Sequence, residues 1–551
     1  MGYSTPTLKR ENLNQVAATS VTRSAERRIA GSAGIVMASV MLSRLLGFLR
    51  EWSIAHQVGS NASTDAYYAA FTLPDFLNYL VAGASLSVIF IPVFTKYVTE
   101  GREDEGWRVF STVTTFMTLL LISVVTIGEI YATRLVNVIS PGFTPEAKAQ
   151  VVFLTRLMLP AQICFVMGSI LSAVQYAKQQ FLIPSLATVI YNLFIILGGW
   201  MLASRVGITG FAVGVLVGAI LGNGALQIYG AVRAGAKFRP NLNLRHPGFI
   251  MFLKMAVPIM LALSLTFTDD WVMRWFGSYL QPASITWLSY GKTLMRVPLT
   301  VMGQAVGVAS FPLLAQLYSQ KKFDDLNRIL NSSVKGLLLM VIPVSALTIA
   351  QSSTVVFFVF AHTRLHGGDF QATATALALF SIGMFAWGGQ YIFSRGFYAT
   401  HNTWTPALVG TLMTLVNLPL YWVLVHRYQY RGLALASSCG IVLYMVVLFV
   451  LLNRHTHNRQ AGGVILFFAK ISLASGVAGI ACYWLTNWFQ ARVQWHFRPV
   501  ALLLLVLVSA VGLVITIALA KLMGVSELDA YLGRLVGRKP ASSAVPLGPS
   551  A

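Results

Sequence analysis

Of the 551 residues, 56% are hydrophobic and 11% charged. An ordinary soluble chain carries about a quarter charged residues, so the composition excludes a soluble globular domain and points to a polytopic, all-α membrane protein. The net charge of +22 does not call for nucleic acid, because the basic residues gather in alternate loops between apolar runs, as the positive-inside rule describes.

The chain opens with a polar, basic segment, residues 1–28, expected to be a disordered cytoplasmic tail; no apolar signal-peptide core precedes Ile29. About fourteen apolar runs follow, each near the twenty residues that a bilayer requires. They fall at 30–56, 64–97, 106–136, 149–176, 182–204, 208–232, 249–279, 284–318, 330–360, 371–398, 405–426, 432–453, 464–489 and 499–522. Pro74, Pro160, Pro258 and Pro298 lie inside runs, where each removes a backbone hydrogen bond and permits a bend. An even number of spans puts both termini on one side. Roughly 22 basic residues fall on that side and about 8 on the other, which makes it cytoplasmic. Cys164, Cys439 and Cys482 sit in apolar runs with neither disulfide nor metal-ligand spacing, so core packing is expected of them. The glycines from Gly214 to Gly224 read as close helix packing.

The chain repeats itself. Pro92 and Arg108 match Pro312 and Arg328 at a spacing of 220, and Tyr176, Pro184 and Gly210 match Tyr398, Pro406 and Gly432 at 222. Two lobes of six helices each, 29–235 and 246–456, are predicted to flank a central cleft, related by an axis along the membrane normal. Residues 462–524 form two further helices without a counterpart, and 525–551 a low-complexity cytoplasmic tail.

Charges inside the apolar runs cost a few kcal/mol each and mark bundle interiors or water-filled cavities. Arg44, Arg50 and Glu51 lie in the first run and Asp65 opens the second. Lys254, Asp269, Asp270 and Arg274 lie in the seventh, Lys292 and Arg296 four apart on one face of the eighth. Two readings fit these residues. Either they form salt bridges that hold helices together, or they line a polar cavity for an anionic cargo, phosphate being held by several cations at once. No P-loop, His-x-x-His or HExxH pattern is present, so no catalytic residue, cofactor or metal is assigned and no enzyme is expected.

Four motif pieces carry a resemblance: Ser43-Arg44-x-Leu46-Gly47-Phe48-x-Arg50, Thr64-Asp65-Ala66-Tyr67-Tyr68, Ala70-Phe71-x-Leu73-Pro74 and Phe90-Ile91-Pro92. In order and spacing they resemble the opening of the MurJ (MviN) family, lipid II flippases of the multidrug/oligosaccharidyl-lipid/polysaccharide exporter superfamily. The similarity runs from about residue 29 to 522. It implies a multi-pass inner-membrane protein, expected as a monomer, that flips undecaprenyl-diphosphate disaccharide-peptide (lipid II) for cell-wall synthesis by alternating access. Arg44, Arg50, Lys292 and Arg296 would meet the diphosphate, Asp65 would orient or release an arginine, and Glu51, Asn78, Asp269 and Asp270 would support them. The pattern also departs from the family. Asn78 stands where the family has an arginine, Gly83 where it has an acid, and Thr293 where it has the central arginine of span eight. Lys292 and Arg296 would compensate with shifted geometry. A Wzx-like flippase of another polyprenyl-diphosphate oligosaccharide and a non-transporting membrane scaffold are the alternatives. A drug antiporter of the MATE type is disfavoured by the basic character of the cavity.

Overall fold

A computed structural model describes residues 34, 36–80, 86–264, 269–525 and 527–528. The expected N-terminal tail 1–28, Gly83 and most of the C-terminal tail lie outside them, as do the side chains of Pro258 and Pro312. Among the described residues all regular structure is helical. The first helix, α1, covers 36–57. It is followed by α2 (Ala62–Ala70), α3 (Thr72–Leu80), α4 (Leu86–Thr99), α5 (Glu103–Ile139), α6 (Pro145–Met158), α7 (Ala161–Ala177), α8 (Leu182–Val206), α9 (Thr209–Gly218) and α10 (Leu226–Arg233). Then come α11 (Pro247–Ser264), α12 (Asp269–Gly277), α13 (Ser284–Ser319), α14 (Phe323–Ala350), α15 (Ser352–Phe360), α16 (Gly367–Ile382), α17 (Met384–Ala399), α18 (Trp404–His455), α19 (Ala461–Gln490) and α20 (Arg498–Leu522). Eight of the described helical stretches are long and apolar enough to cross a membrane, nine if the pair α16 and α17, bent by 43°, is one span.

The breaks follow local chemistry. Pro160 stands just before α7 and separates it from α6. Pro74, by contrast, sits in the first turn of α3, where its missing N–H breaks no hydrogen bond. Pro298 is accommodated within an uninterrupted α13. The 52-residue α18 is about 78 Å long at 1.5 Å per residue, enough for two crossings, and its backbone breaks at Gln429, with φ 53° and ψ −135°.

That break belongs to a pattern. Gly207, 222 residues earlier, ends α8 with φ 58° and ψ −137°. Left-handed residues recur at the repeat spacing elsewhere too: Gly101 with Lys321, Gln179 with His401, and Gly235 with His457. Glycine reaches this conformation without a Cβ penalty, whereas Lys321, His401, Gln429 and His457 hold it as non-glycine residues. The sequence echo at 220–222 is thus matched by an echo in the backbone.

Packing divides the chain into two units. One comprises Met1–Gln57, Leu73–Leu135 and Val152–Leu261. Its core gathers Phe90, Phe94, Trp107, Phe110, Phe249 and Phe252, so α4, α5 and the start of α11 share one apolar centre. In the same unit α8 and α9 are pressed together by glycines. A Cβ at Gly214 would lie 2.6 Å from the Phe194 carbonyl, and one at Gly218 2.8 Å from that of Tyr191, so the glycine run is a packing stripe, as its spacing predicts.

The second unit comprises Val58–Thr72, Val136–Val151 and Ala262–Ala551. Here α13 packs on α14, α16 and α17, while α19 and α20 lie against each other and against α14. The connecting segments of the two halves of the chain meet within this unit. The Gly142 N–H donates to Ser278 Oγ at 3.1 Å, the Trp275 indole to the Val138 carbonyl at 3.1 Å, and a Cβ at Gly59 would lie 2.8 Å from the Arg364 carbonyl. Of the cysteines, Cys482 is buried with Leu347 and Leu504, as expected. Cys439 is exposed and Cys164 half-buried, so the expectation of core packing fails for Cys439: its helix turns that face outward.

Candidate functional site

In the first unit, α1 carries Arg44 and Arg50 six residues apart, which places them about 9 Å apart along the axis and about 120° apart around it. Arg44 is exposed. Arg50 is 27% exposed and its NH2 pairs with Glu51 Oε1 at 2.7 Å. Its NH1 donates to Asn192 Oδ1 of α8 at 3.3 Å. Asn192 in turn donates to Ser43 Oγ at 3.5 Å and to the Thr188 carbonyl at 3.0 Å. An asparagine in the middle of an apolar helix thus orients the arginine. Asn78 donates to Gln162 Oε1 of α7 at 3.3 Å.

Asp65 belongs to the second unit. It lies in the first turn of α2, whose N-cap Asn61 accepts from the Ser63 and Thr64 N–H groups. The Asp65 carboxylate is buried, and its Oδ1 accepts from the Thr286 N–H at 2.8 Å and the Thr286 hydroxyl at 2.6 Å. Thr286 is the third residue of α13, whose own cap position is Ala283, left-handed and without a capping side chain. An anionic oxygen at a helix N-terminus satisfies an orphan donor and complements the helix dipole. The carboxylate expected to orient an arginine is therefore engaged as the N-cap of α13, supplied from α2.

The charges of α12 and α13 meet in a compact cluster. Lys292, 3% exposed, donates to Asp269 Oδ2 at 2.6 Å and to Asp270 Oδ1 at 2.5 Å. Its ammonium also lies 5.7 Å from the Phe380 ring centre and 5.4 Å from that of Trp387. Asp269 further accepts from the Tyr421 hydroxyl and from Ser437 Oγ at 2.6 Å, both on α18. Arg296, 47% exposed, reaches Asp270 Oδ2 at 3.4 Å and rests over Trp387. Two carboxylates face two cations, so the cluster is charge-balanced. Lys292, itself buried, is engaged by two half-buried carboxylates, while Arg296 keeps an open side. Arg274 donates to Thr72 Oγ1 at 3.4 Å.

Sequence reasoning found the charges but missed their neutral partners Thr286, Tyr421, Ser437 and Trp387, which look like any other polar or aromatic residue of an apolar run. Asn192 was the one with a signal, a lone amide between Tyr191 and Leu193. Among the described residues no group of three His, Cys, Asp or Glu side chains is placed to hold a metal ion.

Comparison with known proteins bears on this geometry. The family model for lipid II flippase MurJ matches residues 54–504; Arg44 and Arg50 precede the matched interval. A probable lipid II flippase MurJ of Vibrio cholerae is 23% identical over 91% of this chain and 98% of its own length. The lipid II flippase MurJ of Burkholderia cenocepacia is 24% identical over 82% and 90%. Among solved structures, a lipid II flippase MurJ in an inward closed conformation aligns with a TM-score of 0.73 at 21% identity, covering 91% of this chain and 99% of that one. An inward-facing multidrug resistance MATE family transporter, itself of the MOP superfamily, aligns at 0.63 and 13% identity, over 77% and 98%; such likenesses establish the fold. With the family model spanning most of its length and the helical architecture in agreement, the chain is a multi-pass membrane protein belonging to the lipid II flippase MurJ family.

Proposed function

We propose that this protein moves lipid II from the inner to the outer leaflet of the bacterial inner membrane by alternating access, feeding cell-wall synthesis, and that it acts as a monomeric transporter, not as an enzyme. The observation that carries this reading is the family match over 54–504. The exposed side of Arg296 and the oriented guanidinium of Arg50 add cations that suit a diphosphate, since the planar guanidinium pairs with phosphate oxygens bidentately. Arg44, exposed on α1, adds a third. Lys292, Asp269, Asp270 and Asp65 then serve as positioning residues that hold the helices bearing these cations. The lobes 29–235 and 246–456 would rock against each other while the prenyl tail stays in lipid. The membrane potential supplies about 2.3 kcal/mol per charge per 100 mV for such a cycle.

The test is accessibility of lipid II from outside in cells depleted of their own flippase and carrying only this protein. Export should be restored; failure to restore it would leave a Wzx-like cargo or a scaffold in its place. In the same cells Arg296→Ala should reduce export at least about tenfold, the loss of one charge-assisted contact, with unchanged amounts of inserted protein. Full export by that variant would remove Arg296 from the site.

Fourteen spans with both tails cytoplasmic are part of the proposal. Ala62→Cys and Tyr279→Cys, both at exposed positions, should label from outside in intact cells and Ser319→Cys only after permeabilisation. Labelling of Ser319→Cys in intact cells would reverse the orientation.

A further inference from the structure

One arginine of the second unit takes no part in the contacts described so far. Arg395 lies on α17, one turn before its end at Ala399, and is half-buried. Its NH1 is closed off from solvent and has no hydrogen-bond partner among the described residues. Two more unpaired polar atoms lie on the same helix, the indole Nε1 of Trp387 and the amide Oε1 of Gln390. Trp387, Gln390, Tyr391, Ser394, Arg395 and Tyr398 follow the i, i+3, i+4, i+7, i+8, i+11 spacing of one helical face. The opposite face is buried. A Cβ at Gly388 would lie 2.9 Å from Leu337 of α14, and one at Gly396 2.6 Å from Leu452 of α18. The helix is held by that side, and Tyr391 and Tyr398 keep the polar face open.

Packing does not call for the arginine. At the repeat spacing of 222, Arg395 matches Ala173 and Gln390 matches Gly168, both buried in α7, so the first half closes at these places without polar side chains. A snorkelling arginine would turn its whole head to water, whereas Arg395 turns NH1 inward. An unpaired polar atom inside a protein carries a desolvation cost that a partner removes. Three on one face, with a charge among them, point to a ligand. Their chemistry narrows its class. Trp387 and Arg395 need acceptors, but Gln390 Oε1 needs a donor, which an ionised phosphate does not have. A peptide supplies both, N–H donors and a carboxylate that a guanidinium meets bidentately. Arg395 stands eight residues beyond Trp387, about 12 Å along the axis, and Trp387 is the ring on which Arg296 rests. With Arg296 at the diphosphate, Arg395 is left for another part of the headgroup.

We infer that Arg395, with Gln390 and Trp387, forms a subsite for the peptide of the lipid-linked cargo, its guanidinium holding a peptide carboxylate. It thereby selects cargo that bears a peptide over polyprenyl-diphosphate sugars that do not. The inference rests on the flippase reading. The test uses the purified full-length protein in detergent, titrated with lipid II and, separately, with undecaprenyl diphosphate, which lacks the disaccharide-peptide. Arg395→Gln should weaken lipid II binding at least about tenfold, the effect of losing one charge-assisted contact. It should leave undecaprenyl diphosphate binding and the melting temperature unchanged. Arg395→Lys should recover only part of the affinity, because a point charge cannot make the bidentate contact. Gln390→Leu keeps the shape and removes the acceptor, and should weaken lipid II binding about two- to tenfold. Lipid II bound equally by Arg395→Gln and the unaltered protein would overturn the inference and leave the flippase reading standing, and so would equal losses for both lipids. If Arg395→Gln does not fold, undiminished lipid II binding by Gln390→Leu overturns it. An unaltered protein that binds neither lipid would overturn both the inference and the flippase reading.

Discussion

Lys292→Ala is expected to destabilise the protein by about 3–5 kcal/mol, the usual consequence of removing one partner from a buried ion pair. The reason lies in what remains. Asp269 and Asp270 would stay in the cluster, with Tyr421 and Ser437 still donating to Asp269 but only the 3.4 Å contact of Arg296 and the charge of Arg274 to oppose theirs. The loss should appear as a lower melting temperature of the purified protein and as lower amounts in the membrane. Lys292→Met combined with Asp270→Asn keeps side-chain volume, removes one charge of each sign, and should recover a large part of the loss. This expectation separates a positioning role from a binding one. If Lys292→Ala melts like the unaltered protein and only export fails, Lys292 contacts the lipid and the cluster has been misread. Arg296→Ala should behave oppositely, with stability nearly intact and export impaired, because its half-exposed side chain holds little of the fold together.

The contrast between these two residues was beyond reach of the sequence. Their spacing of four correctly put Lys292 and Arg296 on one face, and both do reach Asp270. Spacing does not say which of two neighbours is covered by Phe380, Trp387 and α18, since these come from about 90 to 150 residues further on. The helices themselves were legible because a span is long, apolar and bounded by charge. Its fractures were less so: α2 ends at Ala70 ahead of Pro74, and the bend between α16 and α17 falls at Gly383 with no proline near it. The repeat was read from a few prolines, tyrosines and other matched residues; the left-handed positions that carry it in the backbone are glycine at three of four places in the first half and at none in the second, so residue identity concealed them. Asp65 was singled out for the right reason, a carboxylate entering an apolar run, but its partner is a backbone N–H, and backbone donors leave no trace in a sequence.

That partner sets the second large effect. Asp65→Ala would leave the Thr286 N–H and hydroxyl without their acceptor at a buried helix start, where Ala283 offers no replacement. Losing a side-chain cap costs about 0.5–2 kcal/mol, and a buried donor left unsatisfied about 1–3 kcal/mol, so a drop of about 2–3 kcal/mol is expected. Asp65→Asn keeps an oxygen at the same place and loses only the charge, so it should fall between the two. The decisive measurement is a double-mutant cycle with Thr286→Val, which removes the hydroxyl but not the N–H. The hydroxyl contact should then register as a coupling of about 0.5–3 kcal/mol with Asp65→Ala. Additive effects would mean that Asp65 acts elsewhere. Because the contact joins α2 to α13 over 221 residues of chain, export should fall with stability in Asp65→Ala and recover with it in Asp65→Asn. An asparagine variant as stable as the native protein yet unable to export lipid would show that the charge itself is used in transport, and that capping α13 is only part of what Asp65 does.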